Sequence, residues 1–373
     1  MSNGSDSDAS STAPSDEEDR LLFGASLHPG SVAKILCLKH DDPRQTRFSL
    51  YDDMNEETSR RLSHILGQNT HLTDLSLLCN FDVAGLCSEL QTNRFIQTFA
   101  LMGGVDLSGV AEMNRLVPFL VNNPSFVMIH LFYCNIGPDS IGILAEALSN
   151  CSASTLRVLN LGGNNFGGVD LSPLCQALVQ ERHSGLTELH LPNCAINDQS
   201  ARVLVSFLNK NSRLVTLNLT GNSGITAHGW QAFLDLVGGA RSMGDVRASN
   251  YTLCSLGNAN QTFVDMLGAD DANFLDALLR LNSNSDKRLV LKRKLIWSHI
   301  HGRSNIGDCP SAQDPLVTSL MPQVLVCFSD FPDEADVLFL YRHQPQPLDL
   351  ELAVMRLEAM FRTLRIRPDL FQV

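Results

Sequence analysis

The sequence predicts an α/β fold, a right-handed solenoid (horseshoe) with a parallel concave sheet, convex helices and a C-terminal helical cap. Two observations predict it. The pattern L-x-x-L-x-L-x-x-(N/C) recurs with starts near residues 72, 96, 126, 156, 186 and 214, at intervals of 24, 30, 30, 30 and 28 residues. Each copy is followed by a stretch in which apolar residues recur at helical spacing. Repeats at such a period indicate stacked structural units that share one core.

The spacing within each copy predicts a short strand. Residues two apart on a strand point to the same face, so the leucines of L-x-L lie on one side and their neighbours on the other. The Asn or Cys that follows is expected to point inward and to bond to the backbone of the turn, whose buried polar groups need partners. The first clear copy carries Leu75, Leu77 and Asn80, and the last carries Leu217, Leu219 and Asn222.

The segment between successive strands predicts a helix. Residues 140–150 read SIGILAEALSN and residues 200–210 read SARVLVSFLNK, with apolar residues at i, i+3, i+4 and i+7. This spacing places one apolar stripe on each helix. A single unit cannot bury that stripe alone, so neighbouring units must stack.

The unit LTELHLPNCAINDQSARVLVSFLNKNSRL, residues 186–214, resembles the ribonuclease-inhibitor class of leucine-rich repeats, whose units run near 28–30 residues with a full helix. The resemblance covers residues 45–255. It departs at the short unit 72–95 and at the glycine-rich strand ends Gly103–Gly104 and Gly162–Gly163. The resemblance implies a cytosolic, non-enzymatic scaffold that recognises proteins.

Three regions are expected along the chain. Residues 1–20, with six acids and one Arg, are predicted to form a disordered acidic, serine-rich tail. Residues 21–269 form the repeat domain, with degenerate copies near 45 (Phe48, Leu50) and near 246, where Ser249 replaces a leucine. Residues 270–373 form a helical cap or small domain, with helices expected at 272–281, 288–299, 316–328 and 348–364, because a terminal repeat exposes an apolar end.

Composition and charge limit the partners and the compartment. The formal charge of −12 disfavours a nucleic-acid binder, which needs a basic face. The first residues show neither a secretory signal nor a transit peptide, and no long apolar run predicts a membrane span. Ten cysteines are spread over the chain without a CxxC pair, which favours a reducing compartment. We expect a protein of the cytoplasm or nucleus that does not enter membranes.

Motifs that would indicate catalysis are absent from the sequence. There is no GxxxxGK[ST], GxGxxG, HExxH or GxSxG. His299, His301 and Cys309 offer only three ligands without zinc-site spacing, so no metal or cofactor is expected. The basic run 292–294 is interpreted as a solvated helix face. Ser15, which precedes three acids, resembles a site for acid-directed kinases, although a solubilising tail is the preferred interpretation.

The concave face is the expected protein-binding surface. Residues that alternate with the strand leucines must point away from the core. Over three adjacent strands, apolar and aromatic side chains of the kind that dominate interfaces gather into a patch, which consists of Leu78, Met102, Met128, Phe132 and Tyr133, and polar residues accompany them. The predicted partner-binding residues are Met102, Met128, His130, Phe132, Tyr133, Asn160, Glu188 and His190.

The predicted function is therefore a non-catalytic scaffold for another protein. Two alternatives remain open. A regulator of a small GTPase is one, because Ran GTPase-activating proteins share this repeat class, although the acidic tract typical of them is not seen. A substrate-recognition subunit of a ubiquitin ligase is the other, although residues 21–44 show no evident F-box. An enzyme with its chemistry in the C-terminal region is the least favoured interpretation.

Overall fold

A computed structural model describes residues 15–153, 155–180, 183, 185–238, 248–257, 260–284, 290 and 294. The chain divides into two compact units, Met1–Leu156 and Arg157–Val373, called here the first and second units. Each unit alternates short parallel strands with helices, as the periodicity predicts. Within the described residues, no helix is both long and apolar enough to cross a bilayer.

In the first unit, two helices precede a regular alternation of strands and helices. The four strands pair in parallel, and Phe48, Leu75, Phe99 and Ile129 fall in one buried row. The elements are α1 (Asp16–Gly24), α2 (Pro29–Lys39), β1 (Arg47–Leu50), α3 (Glu56–Gln68), β2 (Asp74–Leu77), α4 (Val83–Leu90), β3 (Thr98–Met102), α5 (Val110–Asn122), β4 (Met128–Phe132) and α6 (Pro138–Asn150).

The second unit repeats the same alternation with shorter strands. Leu189 of its middle strand pairs with Leu159 on one side and Leu217 on the other, all parallel and buried. The elements are β5 (Val158–Asn160), α7 (Ser172–Val179), β6 (Glu188–His190), α8 (Asp198–Lys210), β7 (Thr216–Asn218), α9 (Ala227–Gly238), α10 (Asn260–Leu267) and α11 (Ala269–Asn282).

The last degenerate copy lies seven residues beyond the position expected near 246. Leu253 and Leu256 are the buried pair, and Ser255 bridges Thr216 in parallel. Leu217 donates its backbone N–H to the Ser255 carbonyl at 3.0 Å. Ser249 is therefore not the substituted leucine of a strand. The true copy, Leu253-x-x-Leu256, is too short to show the period-two pattern that reveals the other strands.

The N-terminal boundary also differs from the expected one. Ser15 caps α1 in a reciprocal capping box with Glu18, so residues 16–20 of the predicted disordered tail are helical. Asp19 is 1% exposed, and its carboxylate accepts hydrogen bonds from Arg61 Nε and Nη2 at 2.8 and 3.0 Å. The Lys39 ammonium lies 2.7 Å from the same carboxylate. These ion pairs join α1 to α2 and α3. The two extra helices therefore close the start of the first unit.

The inward residue of each turn is confirmed in four copies. Cys134, Asn164, Cys194 and Asn222 are buried and bond to backbone carbonyls. The other two copies differ. Gly104 is exposed, and Asn80 is exposed with Cys79 buried in its place. The turn after β2 is therefore offset by one residue from the repeat pattern.

A second set of asparagines, which the sequence analysis overlooked, precedes the strands, and all but Asn211 are buried. All but Asn123 accept a hydrogen bond from the first strand leucine or its equivalent, as in Asn69 from Leu72 (2.7 Å) and Asn250 from Leu253 (2.8 Å). The buried ones also donate to a backbone carbonyl of the preceding repeat, as in Asn69 to the Leu38 carbonyl (2.9 Å). The signal N-x-x-(L/I/F) is visible at Asn69, Asn93, Asn123, Asn211 and Asn250.

The beginning of the C-terminal region is helical as expected. The helix predicted at 272–281 is confirmed by α11, whose Leu275 and Leu278 are buried. The helices predicted at 316–328 and 348–364 lie outside the described residues. The interpretation of the basic run as a solvated helix face is wrong at Lys294, which is fully buried. Its ammonium donates to the Val237 carbonyl at 2.6 Å and to the Asn250 carbonyl at 2.8 Å. Its ammonium also lies 4.8 Å from the Tyr251 ring centroid.

Candidate binding surface

The outward face of the first unit carries five of the eight predicted partner-binding residues. Met102 ends β3, and Met128, His130 and Phe132 alternate along β4 with the buried Ile129 and Leu131. Met102 is 41% exposed and Met128 is 38% exposed, although both are apolar. The alternation leaves these side chains on the side of the sheet away from the helices.

An apolar column runs across the four strands of the first unit, one residue beyond the last inward leucine of each. It consists of Tyr51, Leu78, Met102 and Phe132. Leu50 pairs with Leu77, and Met102 pairs with Phe132, so the four residues occupy one register position. Tyr51 is 70% exposed, and Leu78 and Phe132 are half-buried. The sequence analysis missed Tyr51 because it follows the degenerate first copy, where the only signal was Phe48-x-Leu50.

Tyr133 extends the column sideways and adopts an unusual backbone conformation. Its φ is +54°, in the left-handed region, and its ring meets that of Phe132 edge-to-face with centroids 4.5 Å apart. The same repeat position holds Gly103, Gly163, Asn193 and Gly221, all with positive φ. Gly and Asn adopt this conformation readily, whereas a bulky side chain is strained in it. Nearly half of the Tyr133 side chain is exposed, so burial does not explain its presence.

The remaining three predicted residues lie on the second unit and form a polar surface. The Glu188 carboxylate and the His190 Nε2 are 3.0 Å apart on the outward side of β6. Asn160, at the end of β5, accepts the Gly162 backbone N–H at 3.0 Å. These side chains are pre-positioned for hydrogen bonding. We describe them apart from the apolar column.

The thiols at the inward turn positions are poor nucleophiles. Burial raises the pKa of the Cys134 and Cys194 thiols to about 12, so both stay protonated and weakly nucleophilic at neutral pH. Among the described residues, no three His, Cys, Asp or Glu side chains are grouped to hold a metal ion. His299, His301 and Cys309, considered as a zinc cluster from the sequence, lie outside those residues.

Comparison with known proteins identifies one repeat directly. A family model described as "Leucine Rich repeat" matches residues 152–175, which include β5 and the first half of α7. The chain contains leucine-rich repeats. The parallel strands, the period of the repeat and the buried leucine rows of both units agree with that assignment. Membership of the ribonuclease-inhibitor class stays a prediction.

Two mouse proteins share the repeat sequence at moderate identity. The leucine-rich-repeat chain is 28% identical over 213 residues to NACHT, LRR and PYD domains-containing protein 9C, covering 55% of this chain and 20% of that protein. It is also 28% identical over 178 residues to NACHT, LRR and PYD domains-containing protein 12, covering 47% of this chain and 16% of that protein. The chain thus spans a fifth or less of the length of these relatives.

Several solved structures resemble the leucine-rich-repeat chain at low scores. They include leiomodin-1 actin-binding site 2 (15% identity, TM-score 0.26, 55% of this chain and 86% of that one). A tropomodulin C-terminal domain from Caenorhabditis elegans gives 14% identity and a TM-score of 0.24 over 54% of this chain and 87% of that one. An internalin from Listeria monocytogenes gives 14% identity and a TM-score of 0.26 over 67% and 93%. Scores this low carry no argument about function.

Proposed function

We propose that this leucine-rich-repeat protein is a non-catalytic scaffold that binds another protein through the outward face of its first unit. The contact residues are Met102, Met128, His130, Phe132 and Tyr133. Repeat domains of this kind are protein-interaction modules, and Met and aromatic side chains on an exposed sheet face adapt well to a partner. The cytoplasm is the compartment that fits the reduced cysteines of the described chain.

The strained backbone of Tyr133 is the observation that carries the proposal. A non-glycine residue in the left-handed region costs about 1 kcal/mol or more. Such strain persists where a side chain is needed at that place, and the Tyr133 ring contacts solvent and Phe132 rather than the core. A ring held rigidly at an exposed site loses little conformational entropy on binding, which favours a role as an interface anchor.

The second unit offers polar contacts of a different kind. Glu188 and His190 form a hydrogen-bonded pair, and Asn160 keeps its amide nitrogen free to donate beyond its own turn. Polar groups of this sort contribute more to the specificity of binding than to its affinity, because water competes with each hydrogen bond. We assign them to recognition of polar groups on a partner.

Affinity capture with the full chain tests the proposal. Met128→Glu/Phe132→Glu places two charges in the apolar surface and is expected to abolish capture of the main partner. Val179→Glu/Met266→Glu is the matched control, because both are exposed apolar residues, on α7 and α10 of the second unit, outside the proposed contact residues. The proposal is wrong if the captured proteins are the same for both variants and the native chain, provided that circular dichroism shows both folded.

Regulation of a small GTPase is separable from a passive scaffold by a direct assay. GTP hydrolysis by candidate GTPases is measured with and without the chain. A scaffold leaves the rate unchanged, whereas acceleration would establish the alternative. The ubiquitin-ligase alternative is tested by looking for ligase subunits among the captured proteins, and their presence would establish it.

A further inference from the structure

The loops that follow the four strands of the first unit carry acidic residues and no basic ones. These segments comprise residues 51–55, 78–82, 103–109 and 133–139, which read YDDMN, LCNFD, GGVDLSG and YCNIGPD, and the last of them runs into the first turn of α6. They contain Asp52, Asp53, Asp82, Asp106 and Asp139, and neither Lys, Arg nor His. Each segment begins at or directly after a residue of the apolar column. Because the four strands are parallel, the segments leave the sheet at the same edge, so their carboxylates lie on that side of the column.

These carboxylates are held in place by the loops themselves. Asp53 accepts the Asn80 backbone N–H at 2.8 Å, and Asp106 accepts the Ser108 backbone N–H at 2.9 Å. Hydrogen bonding to the Ser108 side chain and backbone lowers the pKa of the Asp106 carboxyl, so it remains charged at neutral pH. The charges therefore have fixed positions beside the column.

On its other side, the column adjoins a nearly neutral strand surface. Arg47 lies 3.6 Å from the Asp74 carboxylate, and the outward residues between them and the column are Ser49 and Ser76. A bound segment would consequently meet apolar groups in the centre and negative charge along one flank. Apolar side chains with Lys or Arg on one side complement this arrangement.

The spacing of the column distinguishes a helix from an extended peptide. Neighbouring strands are about 4.8 Å apart, so the four side chains span about 14 Å. Successive turns of an α-helix repeat every ~5.4 Å, which brings one side chain per turn near each column residue. Side chains on one face of an extended peptide are about 6.8 Å apart and match fewer column positions.

We infer that the partner presents a basic amphipathic α-helix, whose apolar stripe lies along Tyr51, Leu78, Met102 and Phe132 and whose Lys or Arg side chains face Asp53, Asp82 and Asp106. The inference rests on the proposed function and specifies the chemistry of its partner. It adds Tyr51 and Leu78 to the binding surface. Four strands match about ten residues of helix.

Synthetic peptides of about 18 residues test the inference, because shorter isolated helices are marginal in water. The first peptide carries Leu at i, i+4, i+7 and i+11 with Lys beside them and Ala elsewhere. The second replaces each Lys by Glu. The third keeps the composition of the first but places the leucines around the whole helix. Fluorescence anisotropy with the full chain should show binding of the first peptide alone.

Two pairs of variants separate the apolar contribution from the charge. Tyr51→Ser/Leu78→Ser removes half of the column and should weaken binding at least about tenfold. Asp53→Asn/Asp106→Asn removes two charges but keeps the accepting oxygens, and should weaken binding and reduce its dependence on salt. Asp170→Asn/Asp198→Asn is the matched control in the second unit, in the loop before α7 and at the first residue of α8, with the same charge change, and should bind like the native chain.

The result that overturns the inference is distinct from failure of the proposed function. Equal binding of the Lys and Glu peptides, of the first and third peptides, or of native and Tyr51→Ser/Leu78→Ser chains would overturn the basic helix. So would no binding of any peptide. If Met128→Glu/Phe132→Glu still loses its captured partner, the scaffold proposal stands and only this partner chemistry is wrong.

Discussion

Asn222 provides the sharpest test of how the repeat is held together. Its side chain is 3% exposed and makes four hydrogen bonds across the last turns of the second unit. The amide oxygen accepts the Cys194 and Ile196 backbone N–H groups at 2.8 and 3.0 Å. The amide nitrogen donates to the Leu191 and Leu219 carbonyls, both at 2.8 Å.

Asn222→Ala removes all four hydrogen bonds and leaves buried backbone groups without partners. A net hydrogen bond contributes about 1 kcal/mol, and an unsatisfied buried group costs about as much or more. We therefore expect the free energy of unfolding to fall by about 4 kcal/mol. Asn222→Cys is the matched variant, because Cys194 occupies the same repeat position and donates to carbonyls at 3.2 and 3.4 Å. It should recover about half of the loss.

The assay is urea unfolding followed by far-ultraviolet circular dichroism, with the denaturant dependence compared between variants so that a change in midpoint reports stability. The expected order of stability is native, then Asn222→Cys, then Asn222→Ala. An alanine variant within about 1 kcal/mol of the native chain would contradict the reasoning, since it would mean that the four bonds are replaced by water. Equal losses for both variants would contradict the assigned role of the carbonyl contacts.

Three further predictions concern charge, cysteine and backbone strain. Burial opposes ionisation of Asp19, but hydrogen bonds from Arg61 and Lys39 outweigh it and lower the pKa of the carboxyl. The ionised carboxylate therefore contributes fully to the stability of the fold above about pH 4, and this contribution is lost as the pH falls through the folded-state pKa. Asp19→Asn should lower the free energy of unfolding by about 3 kcal/mol at pH 7, and its urea midpoint should converge with that of the native chain below about pH 4. A constant difference between the two midpoints down to lower pH would refute this. In the native protein at pH 8, iodoacetamide should label the partly exposed Cys37 but not Cys194, because burial raises the pKa of the Cys194 thiol to about 12. Equal labelling of both cysteines by mass spectrometry would contradict the buried position. Tyr133→Asn should change the free energy of unfolding by no more than about 1 kcal/mol, because relief of strain offsets the lost ring contact, yet it should reduce capture of the partner. A loss of about 3 kcal/mol would instead assign Tyr133 a structural role.

The strands could be predicted because a two-residue period leaves a clear trace in sequence. Leu75, Leu77, Leu189 and Leu217 all lie on the inward face as that period requires. The prediction was wrong for the last copy, because Leu253 and Leu256 preserve the register but not the alternation. It was also wrong at Asn80, where a one-residue offset brings in a cysteine of suitable size. Neither error is visible without the neighbouring strand that sets the register.

The candidate surface was partly accessible in the same way. Met102, Met128 and Phe132 follow from alternation alone, since a strand residue beside an inward leucine points outward. Tyr51 could be assigned to the column only from the pairing of β1 with β2, because the first copy is too degenerate to align its last position from sequence. The strain at Tyr133 depends on a backbone dihedral angle that no residue pattern reports.

The sequence by itself determined the alternation of strand and helix, the inward leucines and the absence of recognised catalytic motifs, because these depend on local spacing and residue type. The tertiary structure decided which charged residues are buried with bonding partners, and which residue of each turn points inward. Asp19 and Lys294 read as solvated charges in the sequence, yet both are buried by helices distant along the chain. Whether a charge is solvated or paired depends on what packs against it, and only the folded chain brings those groups within bonding distance.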